Sequence, residues 1–357
     1  GSPSPIFLPV MQAVTQVLHD FAEFQDKFDA RPWIEFTREH TEIPVFAVAA
    51  YLVCVFYLPD LLTRGLRMRT LFALWNVLLS AFSCLGVIHV VPVLVRNVWE
   101  HGFRYTICTH PGEWYLDGAP GLWLTLFIYS KIPELADTLF LVLQKKPVIF
   151  LHWFHHLTVL LYCWHAFQAA TAPGIWFSGM NYSVHAIMYA YYAMAILGWR
   201  SVTKPMAPFI TALQLIQMVV GTTVTVMSAR EHSLGTEPAC VVDPANYKMG
   251  LAMYMSYLIL FAILFYNLYL NPKGKHAFKR TRSGKRVSGQ DEKESMLQAH
   301  CSSGDAAGFF HSKGRDSSAD EPATPVESAG AATPASTRGA VRNGASGTMR
   351  HRQRHAQ

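Results

Sequence analysis

Long apolar runs alternate with short polar connectors from residue 43 to residue 270. A helix that crosses a bilayer needs about 20 predominantly apolar residues. Seven segments meet that length, at 43–62, 70–95, 121–143, 149–168, 174–197, 205–229 and 249–270. The runs are continuous and do not alternate, which predicts helices and not barrel strands. The second and the last four hold no Asp, Glu, Lys or Arg. The first carries Asp60 near its end, and the third carries Lys131, Glu134 and Asp137. The pattern predicts an all-α integral membrane protein with seven transmembrane helices.

Charge placement gives that pattern a direction. Arg64, Arg67 and Arg69 follow the first span, Lys145 and Lys146 the third, and Arg200 and Lys204 the fifth. The densest basic run, Lys273 to Arg286, follows the seventh. With every segment spanning, all four stretches fall on one side, and basic loops mark the cytosolic face. The N-terminus is then lumenal and the C-terminus cytosolic. The basic run reads as a membrane-flanking anchor, and no nucleic-acid partner is expected. Residues 1–42 form a lumenal N-terminal segment, 43–272 the transmembrane domain, and 273–357 a basic tail. That tail is rich in Ser, Gly, Ala, Thr and Arg and is expected to be mostly disordered. Segment 6–40 is polar and aromatic and is no signal-peptide core, so the first span should direct its own insertion.

Composition agrees with the membrane reading: 51% of residues are hydrophobic and 15% charged, with a net charge of +6. Cysteine placement adds a compartment signal. Cys54, Cys84 and Cys163 fall in spans and Cys301 in the tail; Cys108 and Cys240 fall in the two loops of the opposite side. In an oxidising lumen their pairing would tie those loops together; two free thiols are the alternative.

Polar residues inside a bilayer are expensive, at least ~2.5 kcal/mol each for a charge, and are functional candidates by default. Lys131, Glu134, Asp137 and Thr138 sit at i, i+3, i+6 and i+7, one helical face, with Pro133 expected to kink the helix. The fourth span opens with His152, His155 and His156. His152 and His156 share a face, and His155 points about 100° from His156. In the fifth, Asn181, His185, Met188, Tyr189 and Tyr192 form one stripe. In the sixth, Thr211, Gln214 and Gln217 follow at three-residue steps. Lipid cannot satisfy such faces, so they should meet around a polar pocket with apolar walls, a shape suited to an acyl chain with a reactive head.

Three imidazoles in five residues suit metal binding or acid–base and nucleophilic chemistry. His-x-x-His-His also occurs in membrane di-iron desaturases and hydroxylases, which need about eight histidines. Here the candidate ligands are His152, His155, His156, His165 and His185, too few for two irons; a single zinc with Glu134 or Asp137 as carboxylate ligand, in a metal-dependent lipid desaturase or hydroxylase, is the alternative. A neutral imidazole in a desolvated pocket can instead take a proton or an acyl group, with Asn181, Glu134 or Asp137 fixing its tautomer. This second option uses every polar stripe. A seven-helix receptor or transporter has no reason to set three histidines beside a buried Lys/Glu/Asp stripe.

Together, Lys131-x-x-Glu134-x-x-Asp137-Thr138, His152-x-x-His155-His156, Asn181-x-x-x-His185-x-x-Met188-Tyr189-x-Tyr191-Tyr192 and Thr211-x-x-Gln214-x-x-Gln217 resemble the ELOVL family, elongases of very long chain fatty acids. The resemblance covers roughly residues 20–275. The form of the histidine box looks most like the branch acting on saturated and monounsaturated acyl-CoAs. The resemblance implies seven helices, six of them around an acyl tunnel, in the endoplasmic reticulum. It implies condensation of acyl-CoA with malonyl-CoA to 3-ketoacyl-CoA, CO2 and CoA, without a cofactor and without a metal. His155 is then the candidate nucleophile, assisted by His185, with His152, His156 and Asn181 orienting. Lys131, Glu134 and Asp137 would shape the mouth where CoA enters, Tyr189, Tyr192, Gln214 and Gln217 would contact substrate, and Lys204 would meet CoA phosphates. A Cys108–Cys240 disulfide is also implied. Expected partners are membrane lipid, the ketoreductase, dehydratase and enoyl reductase of an elongation cycle, and a second copy of the chain. Trp176 and Phe177 are candidate caps for the tunnel. The chain departs from the family at its end, where no dilysine signal stands.

Overall fold

A computed structural model describes residues 7–270. In chain order its helices are α1 (Phe7–Asp26), α2 (Arg31–Glu39), α3 (Glu42–Phe56), α4 (Leu58–Leu61), α5 (Arg69–Cys108), α6 (Gly118–Ser130), α7 (Ala136–Leu143), α8 (Phe150–Gln168), α9 (Gly174–Leu197), α10 (Arg200–Leu234) and α11 (Pro244–Phe265). Short 3-10 turns at Pro111–Glu113 and Pro133–Leu135 precede α6 and α7, and α11 continues as a π-helix through Leu270. Among the described residues there is no strand, only an isolated bridge between Asp29 and Asp117. The expected tail, 273–357, lies outside the described residues.

Among the described residues, three helices are long and apolar enough to cross a membrane: α5, α10, and α11 with its extension. The pair α2 and α3, bent by 62°, would make a fourth. The other expected spans fall short for local reasons. Pro133 has no N–H to give and its ring crowds the preceding turn, so the third is broken into α6 and α7. Helices α8 and α9 have the length, but their histidines, Asn181 and tyrosines dilute the apolarity. Of the helices with polar stripes, α7, α8 and α9 fall short of a span, while α10 qualifies despite Gln214 and Gln217. The N-terminal segment was not foreseen as helical. It ends in α2 and is pinned to the bundle by Arg31, which bridges Asp29 and Asp117, and by Trp123 Nε1 donating to Gln25.

Contacts between helices close a ring in the order α5, α9, α10, α11, α8, α6 and back to α5, with α3 outside against α7 and α8. Tyrosines seat on glycines at three of these crossings. A Cβ on Gly86 would lie 2.5 Å from the Tyr182 ring, on Gly221 2.3 Å from Tyr254, and on Gly250 2.7 Å from the Tyr162 hydroxyl. Buried aromatic rings fill space that the absent side chain leaves.

The two ends of the ring differ. At one end, Leu66 N–H donates to the Leu143 carbonyl at 2.8 Å, and Arg69 Nε donates to Ile196 O at 2.8 Å, capping the last turn of α9. Gly198, at φ 96°, then turns the chain into α10. This end gathers the basic connectors. At the other end Cys108 is bonded to Cys240, and Val241 N–H donates to Cys108 O. Beside them Arg104 donates to Glu231, Thr236 and Pro238. Cys54, Cys84 and Cys163 are free thiols.

Candidate active site

A cavity of about 780 Å³, counted to its open mouth, lies inside the ring toward the basic end. Phe72 and Asn76 reach it from α5, Asp137 from α7, and His152, His155 and His156 from the first two turns of α8. Asn181, His185, Met188, Tyr189 and Tyr192 come from α9, Gln214 and Gln217 from α10, and Phe261 from α11. The polar stripes of four helices thus share one space. All three imidazoles of the box line it, including His155 on its different face, because the cavity wraps around the start of α8.

Several polar groups on this wall are held from behind. Thr138 Oγ1 lies 2.9 Å from His152 Nε2 and 2.9 Å from the Tyr51 hydroxyl. Asp137 accepts from Trp75 Nε1 and from the Tyr189 hydroxyl, each at 2.7 Å. Asn181 Nδ2 lies 3.0 Å from His185 Nε2. Gln214 Nε2 points at the Met188 sulfur at 3.2 Å, and its buried Oε1 has no partner among the described residues. That orphaned amide oxygen, 7% exposed at the residue level and on the cavity wall, suits a polar ligand atom.

His155 is held differently. Its backbone carbonyl accepts from the Tyr257 hydroxyl at 3.1 Å, its ring rests against that tyrosine, and Tyr257 also meets Thr158 Oγ1. Among the described residues its ring nitrogens, like those of His156, have no hydrogen-bond partner. They are open to a ligand. No three His, Cys, Asp or Glu side chains among the described residues converge as a metal site.

Not every expected residue reaches the cavity. Lys131 and Glu134 are buried behind the wall, 2% and 5% exposed, and not at a mouth. Of the stripe 131, 134, 137, only Asp137 lines the cavity, while Lys131 and Glu134 pair with each other behind it. Lys204 is exposed on the first turn of α10 and off the wall. Thr211 is buried and hydrogen-bonds Ala207 O at 3.1 Å. Conversely, Trp75, Asn76 and Tyr257 serve the site and were not foreseen. Trp75 and Tyr257 look in sequence like lipid-facing or core residues, whereas Asn76 carries a signal, a polar side chain inside an apolar run. Lys146 was read only as a loop charge, yet its ammonium sits 5.8 Å over the Phe72 ring, and burial pushes its pKa down to about 8.

A second, smaller space of about 410 Å³ lies toward the disulfide end. Its walls are almost wholly apolar, from Leu124, Phe127 and Ile128 on α6, Tyr162 and Phe167 on α8, and Phe177 on α9. Phe177 is one turn from Asn181 on α9, about 5.4 Å along the axis. Trp176 instead donates to Thr106 Oγ1 at 3.0 Å and lines neither space.

Residues 36–277 match the model of the ELO (GNS1/SUR4) family. Among curated proteins, very long chain fatty acid elongase 4 of Trypanosoma cruzi (strain CL Brener) is 43% identical over 260 residues, covering 70% of this chain and 90% of its own. Fatty acid elongase 3 of Trypanosoma brucei brucei (strain 927/4 GUTat10.1) is 41% identical over 267 residues, covering 68% and 88%. Fatty acid elongase 1 of the same organism is 46% identical over 206 residues, covering 57% and 67%. None of these relatives is named as a desaturase or hydroxylase.

Proposed function

The chain belongs to the ELO (GNS1/SUR4) family, and from that premise we propose that it is the condensing enzyme of fatty acid elongation, a membrane-bound 3-ketoacyl-CoA synthase. It joins an acyl-CoA to malonyl-CoA and releases CO2 and CoA, an acyl transfer driven by decarboxylation without cofactor or metal. The observation that carries the residue-level reading is the open imidazole of His155 on the wall of a desolvated cavity, next to an apolar chamber.

In this reading His155 attacks the thioester carbon of acyl-CoA. The acyl–imidazole bond forms as the carbon–sulfur bond breaks, and the proton His155 sheds goes to the leaving thiolate. Decarboxylation of malonyl-CoA then releases CO2 and leaves a carbanion that takes the acyl group as the acyl–imidazole bond breaks, and the departing imidazolate takes up a proton from water to restore His155. His152, held by Thr138, and His156 frame the nucleophile. Tyr189, Tyr192, Gln214 and Gln217 contact the substrates, with Asp137 fixed behind Tyr189. The acyl chain extends into the apolar chamber and is stopped near Phe177.

The ring of six packed helices supports a closed acyl tunnel, with the bent α2 and α3 as a seventh, outer span. The basic connectors gathered near the cavity support a cytosolic mouth, where CoA is available, and a lumenal disulfide end. An endoplasmic reticulum location and supply to the following ketoreductase, dehydratase and enoyl reductase accompany this reading, as does pairing with a second copy. Product analysis with labelled malonyl-CoA and a ladder of acyl-CoAs tests the function. Purified protein should yield 3-ketoacyl-CoA two carbons longer than its substrate, and no such product would sink the reading. Mass spectrometry after incubation with acyl-CoA alone should find an adduct that His155→Ala abolishes; absence of any adduct removes the covalent step.

A further inference from the structure

Lys131 is a buried cation whose donors are all engaged within the protein. Its ammonium donates to Glu134 Oε1 at 2.6 Å and to Asn181 Oδ1 at 3.2 Å, and stands 4.2 Å from the centre of the Phe127 ring. Glu134 is itself fixed by the Ser130 hydroxyl at 2.9 Å. A lysine ammonium can only donate. The Asn181 atom that faces it must therefore be the carbonyl oxygen, which fixes the orientation of the amide. The other end of the same amide is then the NH2 group, a donor, and it faces His185 Nε2 at 3.0 Å. Only a bare ring nitrogen accepts from it. An imidazolium would set two donors against each other, beside a buried cation.

We propose that Lys131 and Asn181 are positioning residues that lock His185 as the neutral tautomer protonated at Nδ1, and that His185 acts as a hydrogen-bond donor to a thioester carbonyl oxygen. Nδ1 has no partner among the described residues, and the ring lines the cavity. The class of ligand rests on the elongase reading; the tautomer does not. When a nucleophile adds to the carbonyl carbon, the C=O electron pair moves onto oxygen, where the Nδ1–H steadies it. The pair returns as the thiolate departs, and His185 keeps its proton throughout. This gives the two histidines opposite duties, one adding electrons and the other receiving charge.

The test uses the full chain in lipid vesicles, labelled with 15N at histidine. The difference between native protein and His185→Gln isolates the His185 signals. They should show a protonated Nδ1 and a bare Nε2; a proton on Nε2 in the native protein overturns the proposal. Asn181→Asp supplies an acceptor to both neighbours, so the proton should move to Nε2. Loss of one such donor typically lowers kcat by about 10²-fold, and that is the fall expected, with KM for acyl-CoA unchanged. A moved proton with unchanged kcat overturns the donor role. Lys131→Arg, another pure donor, should keep the native tautomer and recover activity that Lys131→Gln loses. The spectrum needs no turnover. A native protein with Nδ1–H but no condensation would therefore defeat the elongase reading and leave the tautomer lock standing.

Discussion

At the level of single residues, Lys146 links the cavity's rim to pH. Burial holds its pKa at about 8, below the ordinary value of 10.5. Below pH 8 the folded chain carries a half-buried ammonium, and that costs stability. Between about 8 and 10.5 the unfolded chain binds more protons than the folded one, so stability rises with pH across that window. In the proposed reading this charge, beside the cavity-lining Phe72, contributes to binding of acyl-CoA. Lys146→Gln is expected to raise KM for acyl-CoA roughly fivefold, the equivalent of about 1 kcal/mol, and to flatten the rise of KM above pH 8 in steady-state assays. Trp75→Phe removes one of the two donors to buried Asp137. A hydrogen bond to a charged group is worth about 1.5–3 kcal/mol, so this variant should melt earlier in a thermal-shift measurement and lose activity.

Among the helices, the break at Pro133 matters most to the site. Pro133→Ala would let α6 run on into α7 and turn Asp137 away from the histidine wall. Misplacement of about 1 Å can cost roughly 10²-fold in rate. We expect a folded protein with at least that loss; wild-type turnover would refute the role of the break. The tyrosine seats predict stability effects instead. Gly221→Ala drives a methyl into Tyr254, and overpacking of this kind typically costs about 1–3 kcal/mol, readable as a lower melting temperature with little change in KM. These two elements also mark what sequence could and could not reveal. Residues whose chemistry is costly in lipid announced themselves: the histidine box, Asp137, Asn181, His185, Gln214 and Gln217 all stand on the cavity wall. Lys131 announced itself too, but its engagement by Glu134 and Asn181 behind the wall is a matter of packing that helical periodicity does not reveal. Trp75 and Tyr257 gave no signal, since an aromatic residue in an apolar run is ordinary packing. The helices of the N-terminal segment were missed although α1 and α2 are strongly amphipathic, because a search for continuous apolar runs passes over amphipathic periodicity.

For the whole molecule, the covalent staple and the cavity occupy opposite ends. The Cys108–Cys240 bond joins residues 132 apart in sequence and encloses α6 to α10. Its loss should cost about 2–4 kcal/mol, so Cys108→Ser with Cys240→Ser is expected to melt lower while keeping the KM of the native chain. Equal melting temperatures would show that Arg104 and its partners hold that end unaided. The asymmetry has a mechanical consequence. A ring fastened covalently at one rim and by hydrogen bonds at the other has its fulcrum at the fastened rim. Small rotations of the helices are then magnified toward the histidines, and the end that admits the bulky headgroup of a substrate is also the end with the longest lever arm.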